Sequence, residues 1–98
     1  MTQEMTIFYM EGCPYCMNAR KAVHELLAEH TDYAAVPVRW INENEEAALA
    51  STYDYYYVPA IYDSQEKLYE ASPSHRYADI KGQVEAAFRH MLAKDMQA

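Results

Sequence analysis

The chain has 98 residues, enough for one domain with a single core of modest size. Its 8 Lys and Arg against 15 Asp and Glu give a net charge of −7, which argues against nucleic acid and anionic membrane as partners, since both require basic patches. Hydrophobic residues reach 51%, yet 10 of them are tyrosines and mean hydropathy is −0.44, so no apolar run approaches the length that spans a bilayer.

Met1-Thr2-Gln3-Glu4 has no basic region followed by an apolar stretch, and the expectation is an unprocessed cytoplasmic chain. Two cysteines without a wider disulfide framework point to the same reducing compartment. The acidic balance serves solubility, or, in a sharper reading, favours neutral or basic substrates.

Met5 to Met10 reads as a short buried strand, apolar enough for a central place in a sheet covered on both faces. Glu11-Gly12 is a turn. A helix follows from Pro14 to about Glu29, with Cys16, Ala19, Val23, Leu26, Leu27 and His30 on one face. Thr31-Asp32 breaks it. Tyr33 to Ile41 reads as a second strand, which Pro37 demotes to an edge. Asn42 or Asn44 caps a short second helix through residues 43–50, with acidic residues in its first turn.

Val58-Pro59 opens a third strand. The tyrosines before it are either half-buried packing or an aromatic rim beside the first cysteine. Packing suits Tyr53 and Tyr55, whereas Tyr57, nearest Pro59, suits either reading. Asp63-Ser64-Gln65 reads as a hairpin turn and Lys67-Leu68-Tyr69 as an edge strand. Ser72-Pro73 reads as the start of a last helix to about Ala93, serine as cap and proline at the first position. Its apolar stripe is Tyr77, Ile80, Val84, Ala87, Phe88, Met91 and Leu92, interrupted by Gly82 at a cost of ~1 kcal/mol relative to alanine.

Chemistry concentrates at Cys13-Pro14-Tyr15-Cys16, which holds both cysteines of the chain. With Cys13 at the N-cap and Pro14 at the first helical position, the free N–H groups of the first turn point at the Cys13 sulfur. Those groups and the helix dipole favour thiolate, the species that attacks a disulfide. Cys16, one turn on, brings its sulfur back beside the first. Cys13 is therefore the exposed nucleophile and Cys16 the buried resolving thiol. CxxC motifs commonly lower the first pKa from ~8.5 to between ~3.5 and ~7.5; Glu11 opposes that shift and Arg20 assists it.

No metal site is expected, because no further cysteine exists and His24, His30, His75 and His90 form no ligand-spaced pair near the motif. A purely structural disulfide across so short a loop would constrain the unfolded chain little. Thiol redox chemistry is the reading that remains.

The element order β-α-β-α-β-β-α, a CxxC at the first helix start and a Val-Pro at the third strand resemble the thioredoxin superfamily. Within it, Cys13-Pro14-Tyr15-Cys16, preceded by Ile7-Phe8 and followed by Val58-Pro59, is similar to the dithiol glutaredoxins, over about Met5 to Leu92. The resemblance implies an α/β thioredoxin-like fold, with one four-stranded mixed sheet in the order 2-1-3-4 and helices on both faces. It also implies a cis Pro59 facing Cys13, a Val58 backbone that pairs an incoming cysteine, and Tyr15 flanking a glutathione site. The implied activity is dithiol exchange on protein or glutathione mixed disulfides.

Several positions depart from the family pattern. Met10 stands where a cation usually holds a glutathione carboxylate, and Glu11 adds negative charge. Tyr57 replaces a threonine. Tyr69-Glu70 replaces a glycine pair, and Ser72 or Ser74 stands in for an aspartate only as a neutral group. These changes weaken the glutathione site, so electrons come from glutathione or from a flavin reductase. No cofactor is expected to be tightly bound, and the protein is expected to be a monomer. The alternative is a carrier holding an iron–sulfur cluster on Cys13 with glutathione's help; Pro14 and the weakened site count against it.

Overall fold

The structure, a computed structural model, describes residues 3–97, with side chains described through residue 94. Met1 and Thr2 of the Met1–Glu4 stretch lie outside the described residues. The elements are β1 (Met5–Tyr9), α1 (Pro14–Glu29), β2 (Val38–Asn42), α2 (Ala47–Ala50), β3 (Ala60–Asp63), β4 (Glu66–Glu70) and α3 (Tyr77–Gln97). β1 pairs in parallel with β2 and antiparallel with β3, and β3 pairs antiparallel with β4. The sheet order is β2-β1-β3-β4. This is the thioredoxin-like arrangement that the sequence predicts.

Alternation along the strands divides the core into two layers. Met5 and Ile7 of β1 and Ile61 of β3 face α1 and α3, which contribute Ala19, Val23, Leu26, Ile80, Val84 and Phe88. Phe8, Ala60 and Tyr62 face the other way, toward Ile41, Ala50 of α2 and the cysteines. Full burial of side chains such as Phe8, Phe88 and Leu26 contributes roughly 1.5–3 kcal/mol each. The central place of β1, covered on both faces, accounts for its near-continuous apolar sequence.

Three boundaries differ from the sequence reading. Tyr33 is not the start of a strand. Thr31–Ala35 forms a 3-10 turn and β2 begins only at Val38. The Tyr33 ring stacks on Phe88 at 5.0 Å and 2°, and its hydroxyl donates to Glu85 Oε2 at 2.7 Å. That burial outweighs the strand propensity of the segment. Pro37 therefore precedes the edge strand, and its carbonyl accepts the Met5 N–H at 2.8 Å.

The second helix is a single turn, Ala47–Ala50, with no side-chain cap. Asn42 Oδ1 instead accepts the Asn44 N–H at 2.9 Å. That local Asx contact holds the acidic residues in a turn ahead of the helix. The last helix starts at Tyr77, not at Ser72-Pro73. Asp79 Oδ2 reaches back to the Arg76 N–H at 2.9 Å, satisfying a donor at the helix start. Ser72 is left in the turn that precedes it.

One charged group lies in the interior. The Asp63 side chain is fully buried at the far end of β3. Its Oδ2 accepts from Lys94 Nζ at 2.7 Å and lies 3.0 Å from His90 Nε2. Burial alone would raise its carboxyl, but the Lys94 and His90 contacts outweigh burial and hold it below the usual range. A carboxyl lowered on folding stabilises the fold above its unfolded pKa of ~4, and that stability is lost as pH falls through the folded value.

Asp63→Asn is expected to lower unfolding stability by about 1–3 kcal/mol at neutral pH, the cost of weakening a buried hydrogen-bonded charge. Urea titrations should show the deficit shrinking as pH drops below ~4, where the unfolded carboxyl takes up its proton first, and vanishing once the native carboxyl, held lower, is protonated too. A deficit that stays constant through that range would contradict the pairing.

Candidate active site

The register places Phe8 opposite Ala60 at one end of the sheet and Met5 opposite Asp63 at the other. The cysteine motif follows β1 at the Phe8 end. Gly12, at φ +76°, turns the chain into α1, a backbone region that glycine enters without a Cβ clash. Cys13 is the N-cap, with φ −88° and ψ 117°, and Pro14 stands at the first helical position. The Cys13 Sγ accepts the Cys16 N–H at 3.4 Å. It also lies 3.8 Å from the Val58 carbonyl oxygen, toward which the thiol donates. The Val58–Pro59 bond is cis.

The two thiols do not differ in exposure. Cys13 is 6% exposed and Cys16 5%, which corrects the expectation of an exposed first cysteine over a buried second. Both belong to the layer containing Phe8, Ile41, Val58 and Tyr62, and the segment ending at Val58 lies against Cys13. Their hydrogen bonds distinguish them, Cys13 taking the helix-start N–H and facing the Val58 carbonyl. Burial, then the hydrogen bond to Cys13, pushes the Cys16 thiol up to about 12, opposed by a hydrogen bond from the Met10 backbone. Glu43 adds to the rise. Cys16 therefore rests protonated, while Cys13 holds the helix-start N–H.

Tyr15 is half-buried and packs against both layers. Its hydroxyl donates to the Pro73 carbonyl at 3.1 Å, tying the start of α1 to the turn after β4. Ser72 sits in that turn, its Oγ 3.0 Å from Ser74 Oγ and its carbonyl accepting the His75 N–H. Val58 and Pro59 are buried beside Cys13, whereas Tyr57 is 53% exposed. Cys13, Cys16 and Val58 thus belong to one buried cluster, with buried Pro59 next to Val58 in the chain. Tyr15 flanks it, Tyr57 stands at its rim, and Ser72 lies beyond Tyr15.

Tyr53 and Tyr55 pack on the Phe8 ring, at 4.7 Å and 5.2 Å between centroids. Arg20 does not point its charge along the helix toward Cys13. Its guanidinium lies over Trp40 at 4.2 Å and Tyr9 at 5.2 Å, held by the aromatic faces.

Sequence reasoning missed the part played by Glu70. Its Oε2 accepts the N–H groups of Tyr56 at 2.9 Å and Tyr57 at 3.0 Å, and Lys67 Nζ binds its Oε1 at 2.7 Å. The carboxylate pins the segment that presents Val58 to Cys13. Its only signal in the sequence is the lack of glycine at the end of the fourth strand.

A family model described as "Glutathione S-transferase, N-terminal domain" matches residues 7–81. The chain belongs to that family. Such domains are thioredoxin-like, so the protein is a thioredoxin-superfamily member. No curated protein matches the chain. One solved structure, described as "Structure of a malarial protein", aligns with a TM-score of 0.60 at 12% identity, over 89% of this chain and 98% of that one. At that identity the likeness shows the fold alone. Among the described residues, no helix is long and apolar enough to cross a membrane.

Alkylation of the reduced protein at mildly acidic pH, followed by peptide mapping, is expected to label Cys13 first. A Cys16 thiol near 12 offers almost no thiolate there. Preferential labelling of Cys16 would refute the assignment.

Proposed function

We propose that the protein is a glutaredoxin-like dithiol oxidoreductase that reduces disulfides through Cys13 and Cys16. The observation that carries this reading is the Cys13 sulfur at the start of α1, accepting the Cys16 N–H at 3.4 Å while facing the Val58 carbonyl at 3.8 Å. A cysteine at a helix N-cap, with a second one a turn behind it, is the arrangement that disulfide exchange uses.

In the forward reaction the Cys13 thiolate attacks one sulfur of the substrate disulfide. The protein–substrate S–S bond forms as the substrate S–S bond breaks, and the first substrate thiolate leaves and takes a proton. Cys16 then loses its proton and attacks Cys13. The internal disulfide closes, and the second substrate thiolate leaves and is protonated. Two electrons pass from the protein dithiol to the substrate. Val58 and Pro59 hold the incoming cysteine, and Tyr15 and Tyr57 flank it. Burial and the contact with Cys13 keep Cys16 protonated at rest, and the Cys13 part of that constraint is lifted once the Cys13 sulfur is bonded to substrate.

Glutathione fits the residues present poorly. Met10 and Glu11 offer no cation, the Glu70 carboxylate occupies the Tyr56 and Tyr57 amides, and the Tyr15 hydroxyl is taken by Pro73. Ser72 supplies only a neutral group. The electron donor in this reading is a flavin reductase of the thioredoxin-reductase type, with glutathione the slower donor. The family match is the argument on glutathione's side.

The oxidised protein should be incubated separately with glutathione and with thioredoxin reductase plus NADPH, and its reduction followed. Reduction by the reductase, with slow and unsaturated reduction by glutathione, is expected. Rapid, saturable reduction by glutathione would contradict the account of the donor.

A further inference from the structure

Among the described residues, the exposed large apolar side chains are Met10 at 39%, Met17 at 67%, Tyr56 at 91% and Tyr57 at 53%. All four stand at the cysteine end of the sheet. Met10 and Met17 line a cavity of about 210 Å³ with Glu11, Cys16 and Arg20. Tyr56 and Tyr57 lie on the segment that ends at Val58, against Cys13. Single exposed apolar residues need no explanation, but four gathered around the reacting sulfurs mark a contact surface.

The two pairs suit different work. The tyrosines ride on a backbone that Glu70 pins through both their N–H groups. Rigid aromatic groups on an ordered segment lose little freedom on binding. The methionines are unbranched and adapt to varied apolar side chains.

The local charge is acidic. Glu11 is exposed and Glu43 half-buried, and neither forms an ion pair with another described residue. Glu43 Oε1 accepts the Tyr55 hydroxyl at 2.8 Å, which fixes its carboxylate beside the aromatic cluster. Arg20 is the cation of the cavity, and its guanidinium is engaged on Trp40 and Tyr9. Lys67, by contrast, is neutralised by Glu70, and Lys81 by Glu25 and Glu29.

We propose that the disulfide reduced here belongs to a polypeptide segment whose cysteine is flanked by an apolar residue on one side and a lysine or arginine on the other. This rests on the dithiol reading above and names its substrate class. Apolar flanks reach the tyrosines and methionines, and the cationic flank meets Glu11 and Glu43. Glutathione, with two carboxylates against one ammonium, lacks both features. Acidic rims of this kind act through encounter rate and discrimination, and both are weakened by salt.

The test uses fully reduced protein and equimolar symmetric peptide disulfides with central Leu-Cys-Lys, Ser-Cys-Ser or Leu-Cys-Glu. The small neutral compound 2-hydroxyethyl disulfide serves as reference. Oxidation of the protein is followed by acid quench and mass spectrometry, and each rate is divided by the reference rate. Leu-Cys-Lys is expected to react about tenfold faster than Leu-Cys-Glu, and also faster than Ser-Cys-Ser. In the Glu11→Gln/Glu43→Gln variant, or at high salt, the Lys-to-Glu ratio should fall below about threefold. Equal rates for the three peptides, or a faster Leu-Cys-Glu, would overturn the proposal while leaving the dithiol reading intact. Failure of 2-hydroxyethyl disulfide to oxidise the protein would sink the dithiol reading and this one with it.

Discussion

The molecule is organised by the place of one sulfur atom. Cys13 Sγ takes a first-turn N–H of α1 and faces the carbonyl of Val58, a residue 45 positions away in the chain. Each contact depends on a different part of the fold. The first needs β1, the positive-φ turn at Gly12 and a helix that starts on Pro14. The second needs the segment before β3, fixed by the Phe8–Ala60 pairing and by Glu70 at the end of β4. The sheet brings these pieces to one edge, and the apolar layers on its two faces keep them there.

The two ends of the sheet handle charge in opposite ways. At the Asp63 end a buried carboxylate is matched by Lys94 and His90, and this pairing contributes to the stability of the fold. At the cysteine end Glu11 and Glu43 stand without cationic partners among the described residues, beside exposed methionine and tyrosine side chains. Exposed apolar side chains gathered beside acidic groups are what a binding surface looks like before its partner arrives. Burial of both cysteines fits this view. Neither thiol presents itself freely to solvent, so a substrate must engage the rim to reach Cys13.

Much of this was legible in the sequence, for physical reasons. Period-two and helical patterning fixed the element order, and the central place of β1 followed from its continuous apolar run. The placement of Cys13 at an N-cap followed from the proline behind it. The misplaced boundaries arose where long-range contacts overrode local signals. Tyr33 reads as a strand residue until Phe88 and Glu85 are found beside it. Ser72-Pro73 reads as a helix start until Asp79 is seen capping four residues later. The Glu70 clamp was invisible, because a carboxylate that accepts backbone amides from a distant loop leaves no periodic trace. The equal burial of the two cysteines depended on the same loop, and so was missed with it.

The central claim is that Cys13 makes the first covalent bond with substrate and Cys16 breaks it. Reduced Cys16→Ser and Cys13→Ser variants should each be mixed with a peptide disulfide and analysed by intact mass spectrometry. A stable adduct of one peptide on Cys13 in the Cys16→Ser variant, with none on the Cys13→Ser variant, is the predicted result. Adduct accumulation on Cys16 in the Cys13→Ser variant, with none on Cys13, would contradict it.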